Sequence, residues 1–289
     1  MNQNKMLVLL FISTCLFVSR ANAQNKNSAT YDMNLLENMF DSVYSLKYVQ
    51  FEMFSKERVN GQLQLAHAKG ILQYEPRKLF IRGFDEDGEL LNEILYIDGE
   101  NNNNALIASN GFPYINLNLD PKGLVMRRNR HYTILEAGGR YLVDMLRLGL
   151  VKYQAIGNME ERFQIVKETE TTIEVAIINA DYGFTSYKVE ANENCRSVAN
   201  KLGIPEYKII EINEEVDNFE DLEKGQVLKV PTLFAKRVEL ILRKHDLIPI
   251  EVRIFDDQGL YSEYVYSQFN TSPIITNQTF NSKNPAYTF

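Results

Sequence analysis

Residues 48–74 read YVQFEMFSKERVNGQLQLAHAKGILQY. Val49, Phe51 and Met53 alternate with Gln50, Glu52 and then Lys56, the period of two that a strand imposes on its two faces. Asn60-Gly61 supplies two residues at ease with positive φ, the signature of a tight hairpin. Leu63 and Leu65 resume the alternation beyond it. Further strand-like runs at 70–74, 78–84 and 90–97 are punctuated by Asp85-Glu86-Asp87-Gly88 and by DGENNNN at 98–104. This rhythm predicts an antiparallel sheet of consecutive hairpins. In KLFIRGF (78–84), Leu79 and Ile81 point one way and Phe80 and Phe84 the other. Both faces therefore expect a cover, from helices or a lipophilic ligand. Phe51, Met53, Phe80 and Phe84 are the candidate lining of an apolar cavity.

Outward from this sheet the periodicity changes. Met33, Leu35, Leu36, Met39, Phe40, Val43 and Leu46 recur at spacings of three and four, which predicts an amphipathic helix over 31–46. Residues 106–131 read as loop, with Pro113 and Pro121. A second helix is expected over 134–153, weakened near its start by Gly138-Gly139. Strands return at 162–167 and 172–179, and again at 236–244, 250–256 and 261–269. A segment of different character, 187–231, interrupts them.

The first 23 residues, MNQNKMLVLLFISTCLFVSRANA, combine Lys5, a short apolar run and a small-x-small end at Ala21-Asn22-Ala23. They read as a cleavable secretory signal, too short to span a bilayer. Cys15 is a poor acylation site, because Leu16-Phe17-Val18 continue the apolar run past it. The whole chain of 289 residues carries a net charge of −7. Loss of Lys5 and Arg20 makes the remainder more acidic still. That argues against nucleic acid as a partner, which needs a basic face. Only Cys195 lies beyond the leader, so no internal disulfide holds the fold.

Catalytic and metal signatures are not evident. The three histidines, His67, His131 and His245, show no ligand spacing. The Asp85–Asp87 and Asp256-Asp257 clusters sit before glycines and read as turn residues. No cofactor, metal or catalytic residue is assigned. The cluster Arg127-Arg128-Asn129-Arg130-His131 stands out in an acidic chain. Arg127, Arg128 and Arg130 are candidates for contact with a lipid phosphate, an acidic membrane surface or a partner's carboxylates; a solvated loop is the alternative.

YKVEANENCRSVANKLGIPEYKIIEINEEVDNFEDLEKGQVLKVP, residues 187–231, resembles a LysM module. Tyr187-Lys188-Val189 fits its first strand. Cys195, Val198, Ala199 and Leu202 fit the first helix, and Gly203-Ile204-Pro205 the turn. Tyr207, Ile209, Ile210 and Ile212 fit the second helix, and Val227-Leu228-Lys229-Val230-Pro231 the closing strand. The resemblance implies a shallow groove for N-acetylglucosamine polymers between two loops. Asn192, Glu193 and Asn194 fall in one, where the family commonly has Gly-Asp-Thr, and Asn213 and Glu214 in the other. The acidic run from Glu211 to Glu223 reads as a solvated face.

The remainder resembles the LolA/LolB-like group of bacterial envelope proteins. The resemblance lies in the N-terminal helix, the hairpins of 48–97, NLNLDPKGLVMRRNRHYTILEAGG at 116–139 and LIPIEVRIFDDQGLYSEYVYSQF at 247–269. It implies a mainly β (α+β) protein, a curved antiparallel half-barrel with covering helices around an apolar cavity. The expected organisation is a leader at 1–23, a half-barrel from 24–186 and 232–289, and a β-α-α-β insert at 187–231. The expected function is non-enzymatic: binding or carrying a lipid or lipoprotein acyl chain in the periplasm, with peripheral membrane contact. A peptidoglycan-binding adaptor is the alternative, and a glycan hydrolase a second.

Overall fold

The computed structural model describes residues 34–112, 114–156, 159–220 and 222–289, with only the backbone of 153–156 and 159–160. The expected leader lies outside them. Helix α1 spans 34–45 and buries Leu35, Leu36, Met39, Phe40 and Val43, the stripe its periodicity dictates. Six strands follow: β1 (Tyr48–Val59), β2 (Gln62–Gln73), β3 (Lys78–Phe84), β4 (Leu90–Ile97), β5 (Ala105–Ser109) and β6 (Asn116–Leu119). The short helix α2 (Leu124–Arg127) leads to α3 (Arg140–Ile156) and α4 (Met159–Arg162). Then come β7 (Phe163–Glu168), β8 (Thr172–Ile178), β9 (Phe184–Lys188), α5 (Cys195–Leu202), α6 (Glu206–Ile212) and β10 (Val227–Pro231). The chain closes with β11 (Arg237–Arg243), β12 (Pro249–Asp256) and β13 (Gly259–Asn270).

Eleven of these strands form one curved, open antiparallel sheet in the order β6-β5-β4-β3-β2-β1-β13-β12-β11-β8-β7. The β1–β2 register runs unbroken from Tyr48↔Gln73 to Val59↔Gln62. Residues 70–74, read separately from the sequence, thus belong mostly to β2. Gly70 permits this: a Cβ there would lie 2.6 Å from the Phe51 ring it faces. Residues 106–131 are not all loop, because they supply most of β5, all of β6 and α2. Both strands are short and sit at the sheet edge, where few apolar residues are needed and the alternation is weak.

The second helix begins six residues later than its apolar spacing suggests. Gly138 and Gly139 have φ of +101° and +90°, conformations that glycine tolerates and a helix does not use. A single 3-10 turn, Ile134–Glu136, precedes them and is capped reciprocally by Thr133 and Glu136. The guanidinium of Arg140, at the start of α3, donates to the carbonyls of Tyr44 and Leu46, each at 3.0 Å. It thereby caps the end of α1 and ties the two covering helices together.

Strands β9 and β10 pair only with each other, enclosing α5 and α6. They interrupt a hairpin, since β8 and β11 on either side are sheet neighbours. The neck is closed by Asn179, whose amide N–H donates to Lys236 and whose side chain donates to Ala235. One continuous apolar core runs from α1 through the sheet to Val198, Ile209 and Leu228 of the β9–β10 unit.

Candidate functional site

The inward parity of the sheet builds a cavity of about 1230 Å³. Phe51 and Met53 of β1, Ile81 of β3, Ile94 of β4 and Val252 and Ile254 of β12 line it. Met126, Ile134, Tyr141 and Leu142 close it from the helical side. Register orders its length. Val43, Leu46, Phe51 and Phe269 border one end. Toward the β1–β2 turn it is bordered by Ser55, Glu57, Ala66, the turn 85–88, Arg128, Arg130, Tyr132 and Thr133.

The four candidate lining residues divide. Phe51, Met53 and Phe84 border the cavity. Phe80 does not, and that expectation is corrected. Its ring stacks on Tyr287 at 3.8 Å and meets Phe289 edge-on, while Thr288 donates to Glu93. The C-terminal tail is the cover that the second apolar face required. Phe84 lies at 4.9 Å from His67, its ring tilted by 30°, and His67 in turn stacks on Phe54 and bonds Glu52 at 2.8 Å.

The arginine cluster also divides. Arg128 and Arg130 border the cavity. Arg127 is corrected as an anion contact, because it is buried and already paired. Its two terminal nitrogens donate to the two carboxylate oxygens of Glu206 at 3.0 and 2.8 Å. Its guanidinium also lies 3.2 Å over the Phe219 ring. The parity that separates Arg127 from its neighbours comes from the single turn of α2, which four residues of sequence do not reveal.

The polar end of the cavity joins the β9–β10 unit through Glu57, His131 and Glu136, none of which the sequence marks as a site residue. Glu57 accepts hydrogen bonds from the backbone N–H of His131 and from the Tyr264 hydroxyl. His131 is fully buried, stacked between Tyr207 of α6 at 4.7 Å and Tyr261 at 4.1 Å. Burial holds its imidazole below the usual histidine range, against the opposing pull of Glu57. Glu136, also at the cavity, pairs with Arg196 of α5. Glu57 carried one legible signal: it is a carboxylate on the inward parity of Phe51, Met53 and Ser55.

A second buried cluster fixes α6. Arg58 meets Glu211 at 3.0 Å and also pairs with Asp256, while Lys208 reaches Asp256 at 2.6 Å and Glu211 at 2.8 Å. Glu211 is thus removed from the solvated acidic face expected of it. Desolvation works against every charge here, but the mutual hydrogen bonds prevail. Arg58 and Lys208 are raised, and the Asp256 carboxyl is held below its ordinary range.

In the loops of the β9–β10 unit, Asn192 is exposed at φ +65°. Glu193 is tied to Tyr187, Lys201 and the N–H of Glu190. Asn194 caps α5 by accepting from Ser197, and its amide donates to Glu220. Asn213 is buried: its amide donates to Ile209 and Lys229, and its oxygen accepts from Lys229. It cements β10 to α6, so its assignment to a sugar groove is corrected. Glu214 is exposed. Cys195 is buried and its thiol is pushed up to about 12 by burial, which leaves it unreactive.

Residues 187–231 match the LysM domain family. Similar solved structures include MucB, at 9% identity over 87% of this chain and 62% of that one, with a TM-score of 0.39. The chain thus spans about three fifths of the length of MucB. The Mycobacterium tuberculosis lipoprotein LppX is similar at 9% identity, over 85% of this chain and 98% of that one, with a TM-score of 0.37. A LolA superfamily protein from Nitrosomonas europaea is similar at 6% identity, over 86% and 96%, with a TM-score of 0.32. No curated protein sequence matches the chain. Among the described residues, no helix is long and apolar enough to cross a membrane.

Proposed function

We propose that the protein binds or carries a lipid or acylated ligand in the sheet cavity, without chemistry, in the periplasm near the cell wall. The cavity carries this reading. Its volume of about 1230 Å³ exceeds the roughly 300–1,000 Å³ of ordinary small-molecule pockets. Aliphatic and aromatic side chains from at least five strands and α3 surround it. Each methylene buried there contributes about 0.8 kcal/mol, so about a dozen gain roughly 10 kcal/mol before ordering costs. The reading is tested by uptake of a fluorescent fatty acid and its displacement by an unlabelled one. Saturable uptake at one site supports it; no uptake by folded protein contradicts it.

A peptidoglycan-binding adaptor is the second reading, favoured by the LysM match over 187–231. Asn192 and Glu214 are exposed in the two loops that would flank a sugar chain. Sedimentation of the protein with peptidoglycan separates the two readings.

A further inference from the structure

The polar end of the cavity has unmet hydrogen-bonding capacity of one kind. A terminal nitrogen of Arg130 and the hydroxyl of Tyr132 are both buried and have no hydrogen-bond partner among the described residues. Both residues border the cavity. The carboxylates beside them are already committed: Glu57 to His131 and Tyr264, Glu136 to Thr133 and Arg196, and Glu263 to Lys56 and Arg253. Asp85 accepts from the N–H groups of Asp87 and Glu89, and Glu86 and Asp87 are exposed to water, so the buried groups left over are a cation and a phenol, both donors, at the end of an apolar chamber. A buried donor without an acceptor is costly, and one that meets an anion is among the stronger hydrogen bonds.

We propose that Arg130 and Tyr132 form a subsite for the oxyacid head of an amphiphile, a carboxylate or a phosphate monoester, whose hydrocarbon chain lies along the sheet cavity toward Phe51 and Phe269. The proposal rests on the reading that the cavity takes an apolar ligand, and adds its head chemistry and orientation. The guanidinium supplies charge and one or two N–H donors, and the phenol one O–H donor. Arg128, exposed at the same border, adds positive charge nearby.

Calorimetric titration with dodecanoate, dodecyl phosphate and dodecanol tests it. The chain is constant, so the alcohol measures the cavity and the anions measure the subsite. The better anion should bind at least about tenfold more tightly than the alcohol, and which anion wins distinguishes a fatty acid from a phosphate-headed lipid. The double variant Arg130→Gln with Tyr132→Phe should lose that preference and keep the alcohol's affinity. Neither residue's polar tip holds other side chains, and a thermal melt verifies that the variant folds. Equal binding of alcohol and anions by the unaltered protein, or a variant with the preference intact, overturns the subsite alone. Failure of all three to bind removes the cavity reading, and the subsite with it.

Discussion

Arg127 and Glu206 form a two-pronged ion pair, at 3.0 and 2.8 Å, between the barrel segment that borders the cavity and the first turn of α6. Each side chain is only 2% exposed. Arg196 of α5 reaches the same carboxylate at 3.0 Å and also binds Glu136 at the cavity. The LysM-like unit is therefore joined to the cavity wall by charges removed from water, not carried on a free linker.

Breaking this pair leaves Glu206 buried with Arg196 as its remaining partner. Arg127→Ala is expected to cost about 3 kcal/mol. In a domain of this size that lowers Tm by about 6–12 °C. Thermal unfolding followed by circular dichroism checks it, and a shift below about 2 °C contradicts the structural role given to Arg127.

The joint is also expected to weaken in mild acid. Burial depresses His131, so between its lowered folded value and the unfolded value of about 6.5 the unfolded chain binds the extra proton. Stability is full above that window and falls as pH drops through it. Asp256, also depressed, adds a loss that starts lower, near the ordinary carboxylate range. Urea titrations between pH 5 and 7 should show unfolding free energy declining toward pH 5 in the unaltered protein. His131→Phe, which keeps a ring between Tyr207 and Tyr261, should show a flatter profile. Identical slopes would remove His131 as the cause.

The loop residues of the LysM-like unit should separate by role. Asn194→Ala removes the α5 cap and is expected to cost about 1 kcal/mol. Asn192→Gly with Glu214→Ala should stay within about 0.5 kcal/mol of the parent, since both side chains are exposed and glycine tolerates the +65° φ at 192. If this unit holds wall glycan, the double variant loses sedimentation with peptidoglycan while remaining fully folded. Sedimentation unchanged by the pair would place any glycan contact elsewhere.

The chain contains no tryptophan, so one introduced into the cavity reports without background. Met53→Trp should place an indole against the bound chain. Its fluorescence is expected to be quenched saturably by a brominated fatty acid. Quenching no greater than that of free tryptophan would contradict occupancy of the cavity.

The sheet was legible because hairpins declare themselves locally. Asn60-Gly61 and the acidic-glycine turns fix where strands end, and the alternation of Val49, Phe51 and Met53 fixes which face turns inward. The LysM-like segment was legible for the same reason, a compact order of strand, helix, helix and strand. What was hidden depends on contacts distant in sequence. Phe80 and Phe84 share a parity, yet residues 287–289 cover Phe80 while Phe84 lies beside the cavity. Arg127 resembles Arg128 and Arg130 until Glu206, from a later helix, claims it. Glu206, Lys208 and Glu211 have the composition of a solvated helix face and are taken from water only because α6 is pressed against Arg127 at its start and against Arg58 and Asp256 farther along. Asn213 looked like a loop residue and is a rivet between β10 and α6. Burial of polar groups by partner elements leaves no periodic trace in the elements themselves.

The central claim is that the sheet encloses a lipid-sized site that is filled in the cell. Protein purified from a bacterial host without detergent, extracted with organic solvent and examined by mass spectrometry tests it most directly. The account predicts acyl-bearing lipid approaching one molecule per chain, and a marked decrease in Ala68→Trp, whose indole would project into the cavity beside Met53. Folded protein that yields no lipid, and that takes up none when a fluorescent fatty acid is supplied, would contradict it.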